Sequence, residues 1–272
     1  MEKPAISKSR SQQASKVDKP TSNVHEHAET GRSFWPFKPL SGLYQDVFII
    51  LSWIAIWQIG RIVEYTEHAS VWFPAAGYTL ACFLVLGWRA VVPIMVAAIA
   101  ITVWNGHNYL LPLSNVEMMW GGVLFGVAHM LPYYAGASVL GHLLRKPDVT
   151  IPQLIVSFLI IGCISSLVAT QLVIGSLVLT NQMSAADIKE AMLPFWIGDM
   201  AGVVVLAPLF AGLLVKISAA SKIDLLAFSN CASSDLHSYF KKVAINLALI
   251  LFVILLAKLT QSRDSAFAIF FL

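Results

Sequence analysis

Charge is scarce in this chain. Only 12% of its 272 residues are Asp, Glu, Lys or Arg, against about 25% in soluble domains. Hydrophobic residues make up 57%, more apolar surface than a water-soluble fold of this length can bury. The net charge of +3 is small and unevenly placed, which argues against a nucleic-acid partner. Cysteine is also rare. Cys82, Cys163 and Cys231 are odd in number and widely spaced, which excludes a disulfide framework and a Cys-based zinc site. No His-Glu-x-x-His and no Gly-x-Ser-x-Gly is present, so the metalloprotease and serine-hydrolase signatures are missing. No catalytic residue, cofactor or metal site is expected. Residues 1–42 lack the apolar core of a secretory leader; rich in Ser, Gln, Lys and His, they are expected to form a disordered tail.

What remains is a series of long apolar runs. A bilayer-spanning helix needs about 20 apolar residues. The pattern predicts an all-α, polytopic transmembrane bundle of about eight spans, at roughly 43–63, 70–87, 90–106, 117–143, 150–179, 191–216, 239–259 and 264 onward. Gly87-Trp88-Arg89, with Pro93 a turn later, separates the second and third spans as a tight hairpin. Pro132 and Pro208 lie inside predicted helices, where each deletes a backbone hydrogen bond. With the N-terminus cytoplasmic, 14 of the 18 Lys and Arg residues fall on the cytoplasmic side, which the positive-inside rule favours. Eight spans then place both termini in the cytoplasm. The last span breaks off at Phe271-Leu272, the expectation for a chain that continues into a cytoplasmic domain.

Two stretches stand out against this apolar background: Trp72-Phe73-Pro74-Ala75-Ala76-Gly77 and Trp196-Ile197-Gly198-Asp199-Met200-Ala201-Gly202. The second sets a carboxylate in a membrane helix, at an insertion cost of at least ~2.5 kcal/mol, so Asp199 is expected to face a partner or a cavity. At 1.5 Å per residue, Asp199 stands about 12 Å from the outer end of its predicted helix and His129 about 18 Å from the outer end of the fourth. A His129–Asp199 pair is therefore geometrically open, and His titrates near physiological pH. Trp72 and Pro74 suit the interfacial start of a helix. Gly77, and Gly198 with Gly202 four residues apart, allow helices to approach closely. Packing is the simpler account of these glycines; the alternative is that they hold the two stretches side by side around a pocket. Arg61, Glu64, Glu67, His68, Asn105, His107 and Asn108 fall in outer loops and are expected to be solvated. Residues 221–242 mix apolar and charged side chains and fit either a membrane-surface segment or a linker.

Three blocks together resemble the MASE1 domain, a bacterial membrane-associated sensor module. They are Trp72–Gly77 at the head of the second helix, Gly87-Trp88-Arg89 with Pro93, and Trp196-x-Gly198-Asp199-x-x-Gly202 followed by Pro208-Leu209. The resemblance covers residues 43–272. It implies a sensory input module of the bacterial inner membrane that passes a stimulus to a cytoplasmic output domain, in cis or as a signalling partner. Such outputs turn over cyclic di-GMP or act as histidine kinases, and they commonly work as homodimers. The implied partners are the lipid bilayer, that output domain, a second copy and an unidentified small ligand. Asp199, His129, Trp196, Trp72, Pro74 and Gly77 are the candidates for sensing; Gly198, Gly202 and Pro208 are the candidates for helix packing. The fourth helix departs from the family, reading Ala128-His129-Met130-Leu131-Pro132 where small polar or acidic residues are frequent. A transporter of small molecules or ions is the rival function, although residues 43–143 and 150–259 show no alignable repeat of the kind many transporters carry. An intramembrane enzyme is a second rival with too few polar residues at membrane depth.

Overall fold

A computed structural model describes residues 42–61, 64–66, 69–70 and 72–218. These residues form six α-helices: α1 (Leu43–Arg61), α2 (Pro74–Leu86), α3 (Val91–Asn108), α4 (Asn115–Leu144), α5 (Ile151–Leu179) and α6 (Ile188–Ile217). Between α1 and α2, strands β1 (Glu64–Thr66) and β2 (Ala69–Ser70) pair antiparallel. Five segments are long and apolar enough to cross a bilayer: Leu43–Arg61, Pro74–Asn108, Asn115–Leu144, Ile151–Leu179 and Ala185–Ile217. The seventh and eighth predicted spans, Cys231, the tail and the 221–242 segment lie outside the described residues.

Local chemistry sets the helix boundaries. Ser114 caps α4 and exchanges hydrogen bonds with Glu117, whose carboxylate takes the Ser114 N–H at 2.7 Å. At α5, the Gln153 side chain accepts the Thr150 N–H at 3.0 Å, with Pro152 inside the first turn. Such caps satisfy amides that a helix leaves open at its start. Gly87 ends α2 with φ +63°, a backbone setting that side chains with a Cβ resist. A 3-10 turn over Gly87–Ala90 then starts the chain back along α3, so Pro74–Asn108 contributes two limbs. Prolines 132, 194 and 208 sit within continuous α4 and α6.

Successive helices alternate in direction. Gly60 of α1 meets Pro74 at the start of α2, Gly106 of α3 meets Met118 of α4, Gly136 of α4 meets Ser165 of α5, and Gly162 of α5 meets Val203 of α6. As a result α2, α4 and α6 run parallel to one another. The most extensive contact in the bundle joins α2 to α6, and α2 also packs on α1 and α4. Every residue of α2 except Leu84 is buried, as expected of a helix that is apolar on all sides. Helix α5, by contrast, turns Ile155, Ile160, Ile164 and Leu172 outward, the face that suits lipid acyl chains.

The second helix differs from its predicted form. It begins at Pro74 rather than at residue 70, and its 13 residues span only about 20 Å. That is short of a hydrocarbon core of about 30 Å. The preceding Trp72 and Phe73 are not helical. An unsatisfied amide is costly in hydrocarbon, so non-helical backbone survives at depth only when protein surrounds it. Phe73 is buried, and its N–H donates to the Gly198 carbonyl of α6 at 3.0 Å.

Candidate functional site

The two motif stretches meet through their backbones. Besides the Phe73–Gly198 hydrogen bond, the Phe73 carbonyl lies where a Cβ on Gly202 would stand, with Pro74 Cα 3.3 Å from the same point. A Cβ on Gly77 would in turn overlap the Gly202 carbonyl. Glycine is required at both positions because the atoms in the way are main chain and cannot rotate aside. The spacing Gly198-x-x-x-Gly202 thus accommodates an extended segment and the helix that follows it.

This contact places Asp199 in the interior, fully buried at 0% exposure. Its Oδ2 accepts a hydrogen bond of 2.6 Å from the Tyr133 hydroxyl of α4, and its Oδ1 has no hydrogen-bond partner among the described residues. His129, one turn before Tyr133 on α4, is 1% exposed. Its Nε2 lies 3.1 Å from the Thr79 hydroxyl of α2. That hydroxyl also accepts from Trp53 Nε1 of α1 at 2.9 Å and donates to the Ala75 carbonyl at 2.8 Å. A hydroxyl has one proton, so with that proton on Ala75, His129 donates through Nε2. Nδ1 then carries the lone pair, and it has no hydrogen-bond partner among the described residues. Aromatic rings enclose the imidazole: Phe125 stacks on it at 5.7 Å, while Tyr133, Phe73 and Trp53 meet it edge-on at 5.1, 5.9 and 6.1 Å.

His129 and Asp199 therefore do not form the direct pair that their depths allowed. Tyr133 stands between them, bonded to Asp199 and in ring contact with His129. With α6 starting at Ile188 and α4 at Asn115, both residues also lie deeper than expected, at about 16 and 21 Å from their helix starts. Depth follows from residue count, whereas the direction around the helix depends on packing. The residues that bond to the two candidates, Tyr133 and Thr79, escaped sequence analysis, as did Trp53. The available signal was Tyr133 at i+4 from His129, the spacing that puts two side chains on one helix face.

The other candidates take separate places. Trp196 is half-buried and turns toward α5, its Nε1 donating to the Cys163 carbonyl at 3.5 Å. Pro74 is the buried first residue of α2. Trp72 is half-buried at the entry to α2, its carbonyl close to Gly60. Pro208 is exposed and lines an apolar groove with Leu140, Phe158 and Ala211, between α4, α5 and α6. Asn105 is not a solvated loop residue: it is buried at the end of α3 and accepts from Arg61 at 3.3 Å. Cys82 is buried and Cys163 half-buried, both as free thiols. Among the described residues, no three His, Cys, Asp or Glu side chains cluster as a metal site.

A small cleft opens at the end of the bundle where α1 and α3 finish and α4 begins. Trp57, Thr102, Asn105, Phe125, Gln182 and Phe195 line it. Trp57 meets Phe125 edge-on at 5.4 Å, and Phe125 is the ring stacked on His129. The cleft and the buried polar core thus share a wall one aromatic ring thick.

The MASE1 family model matches residues 46–272. No curated protein and no solved structure matches the chain. The family match takes in the blocks that meet at Phe73 and Gly198 and most of the bundle around them. MASE1 is a membrane-associated sensory domain family, and this chain belongs to it.

Proposed function

We propose that the chain is the sensory input module of a bacterial signalling protein, set in the inner membrane with its N-terminus in the cytoplasm. The positive-inside rule supports this orientation. Among the described residues, Arg89, Arg145, Lys146 and Lys216 lie at the end opposite the cleft, whereas Arg61 and Lys189 lie at the cleft end. The cleft then faces outward. A small ligand or a change of packing there is transmitted through Phe125 to His129, and through Tyr133 to Asp199 on α6. Helix α6 runs toward the cytoplasmic side and carries the change to an output domain, in cis or as a partner. That output turns over cyclic di-GMP or transfers phosphate from histidine. Packed membrane helices with two alternative arrangements are established carriers of such signals.

The observation that carries this reading is the buried Tyr133–Asp199 hydrogen bond, which ties the motif helix α6 to the helix that bears His129. The test is chromosomal Asp199→Asn and Tyr133→Phe beside a deletion. Cellular cyclic di-GMP and phosphotransfer to candidate response regulators are the readouts. Both variants are expected to shift one of these outputs in the manner of a locked or uncoupled sensor. Outputs identical to wild type in both variants and in the deletion would refute the proposal.

A further inference from the structure

The apolar groove between α4, α5 and α6 sits at the end of the bundle opposite the cleft. Its volume is about 280 Å³. Leu140 and Leu144 line it from α4, Leu154 and Phe158 from α5, and Ala207 and Ala211 from α6. No polar residue takes part in the lining. The alanines of α6 leave the space that larger side chains there would fill. Ile155 and Leu159 also line the groove and are 51% and 42% exposed. The groove therefore opens sideways, on the face of α5 that suits lipid acyl chains.

From Val204 to Ala211 the groove runs along α6 for about 10 Å. That length and volume admit a hydrocarbon chain. They do not admit an α-helix, which with its side chains is about 10–12 Å across. Charge marks one end. Residues 145–150 join α4 to α5 and so close the groove at the end proposed to be cytoplasmic. Arg145 directly follows the lining residue Leu144, Lys146 comes next, and both are exposed. Among the described residues no carboxylate pairs with either cation. Asp148 is the one acid in this loop, which keeps a net positive charge. Long basic side chains of this kind lie along apolar surface and carry their charge to the headgroup level.

We infer that the groove and this loop together bind an anionic phospholipid, with an acyl chain between α4, α5 and α6 and the headgroup phosphate at Arg145 and Lys146. The two halves match the two halves of the ligand. An entirely apolar lining takes a chain that has no hydrogen-bonding group, and a guanidinium beside an ammonium takes a phosphate. Basic pockets between membrane helices on the cytoplasmic side hold acidic headgroups in this way. A zwitterionic lipid fills the groove equally well, but its own cation offsets its phosphate, so the charge at the mouth gives the preference. An acyl chain seated there packs between α5 and the part of α6 that lies beyond Asp199. The binding does not rest on the sensory reading; only the leaflet follows from the proposed orientation.

The test uses the full chain purified in detergent and titrated with phosphatidylglycerol or with phosphatidylcholine of the same acyl chains, with thermal unfolding followed. Binding to the folded state raises the midpoint with ligand concentration. A larger rise with phosphatidylglycerol is expected. Arg145→Gln combined with Lys146→Gln is expected to weaken the apparent affinity for phosphatidylglycerol by about tenfold and to leave that for phosphatidylcholine unchanged. Lys189→Gln removes a charge at the far end of α6 and is expected to keep the preference. Phosphatidylglycerol with a photoreactive diazirine in its acyl chain is expected to label residues 154–159 and 204–211. Equal rises with the two lipids would overturn the inference, as would a preference that survives in the double variant. Label confined to residues outside the groove overturns it too; the groove is then filled by protein, either the 239–259 run of this chain or a second copy. Any of these can occur while Asp199→Asn still alters signalling, so failure here and failure of the sensory reading are separable.

Discussion

Gly202→Ala is the sharpest probe of the junction between the two motifs, because a methyl group there meets only main chain. The new Cβ would coincide with the Phe73 carbonyl and lie 3.3 Å from Pro74 Cα. Neither atom can swing aside as a side chain would, so the extended segment must withdraw from α6. Overpacking of this kind costs about 1–3 kcal/mol. Withdrawal also strains the Phe73 N–H to Gly198 carbonyl hydrogen bond, and a buried amide left unsatisfied costs about 1–3 kcal/mol more. The helix propensity of Ala over Gly returns about 1 kcal/mol. The net expectation is a loss of about 1–5 kcal/mol. Gly175→Ala is the matched control: it lies in α5 with nothing within 4 Å of its would-be Cβ, so it is expected to be neutral or to stabilise by up to about 1 kcal/mol. Thermal unfolding of the two variants in one detergent, followed by size-exclusion chromatography, measures the difference. If Gly202→Ala unfolds at the wild-type temperature or above, the backbone junction does not exist as described.

Tyr133→Phe removes the donor to Asp199 and is expected to destabilise by about 1.5–3 kcal/mol; adding Asp199→Leu is expected to cost less than the sum of the two single changes, which a double-mutant cycle on unfolding midpoints checks. Thr79→Val strips the partner from both Trp53 Nε1 and His129 Nε2. A loss of about 2–4 kcal/mol is expected, while Thr79→Ser, which keeps the hydroxyl, is expected to stay near wild type in the same assay. Topology is open to a direct test in intact cells: a cysteine at Pro112, between α3 and α4, is expected to react with an impermeant maleimide, and one at Pro147, between α4 and α5, only after permeabilisation. The reverse pattern would invert the proposed orientation. Proteoliposomes containing the chain are expected to show no small-molecule or ion flux above empty liposomes; a flux that Asp199→Asn abolishes would favour a transporter.

The apolar runs of α1, α3, α4, α5 and α6 were legible because a helix long enough for a bilayer leaves little else a sequence can do. The break at Gly87 was equally legible, and the structure shows the positive φ that glycine supplies there. The start of α2 was not. Residues 70–73 are as apolar as the helix they precede, and hydropathy carries no trace of a carbonyl at Gly198, some 125 residues on, that accepts the Phe73 amide. At the core, Asp199 announced itself as a charge in an oily run. Its partner did not, because Tyr133 is an unremarkable membrane residue until the packing of α4 on α6 fixes which way it turns.

The short second helix also has a mechanical side. Where two helices touch through side chains, one can slide a fraction of a turn past the other as rotamers readjust. Phe73 and Gly198 are joined main chain to main chain, with Gly77 and Gly202 leaving no compressible layer between. In effect α2 and α6 form one strut riveted at its upper end. The strut can tilt or shift as a unit against α1, α4 and α5, but its two members cannot trade positions. Whatever displaces the Trp72–Phe73 segment at one face of the bundle therefore arrives at the far end of α6 undiminished by slippage.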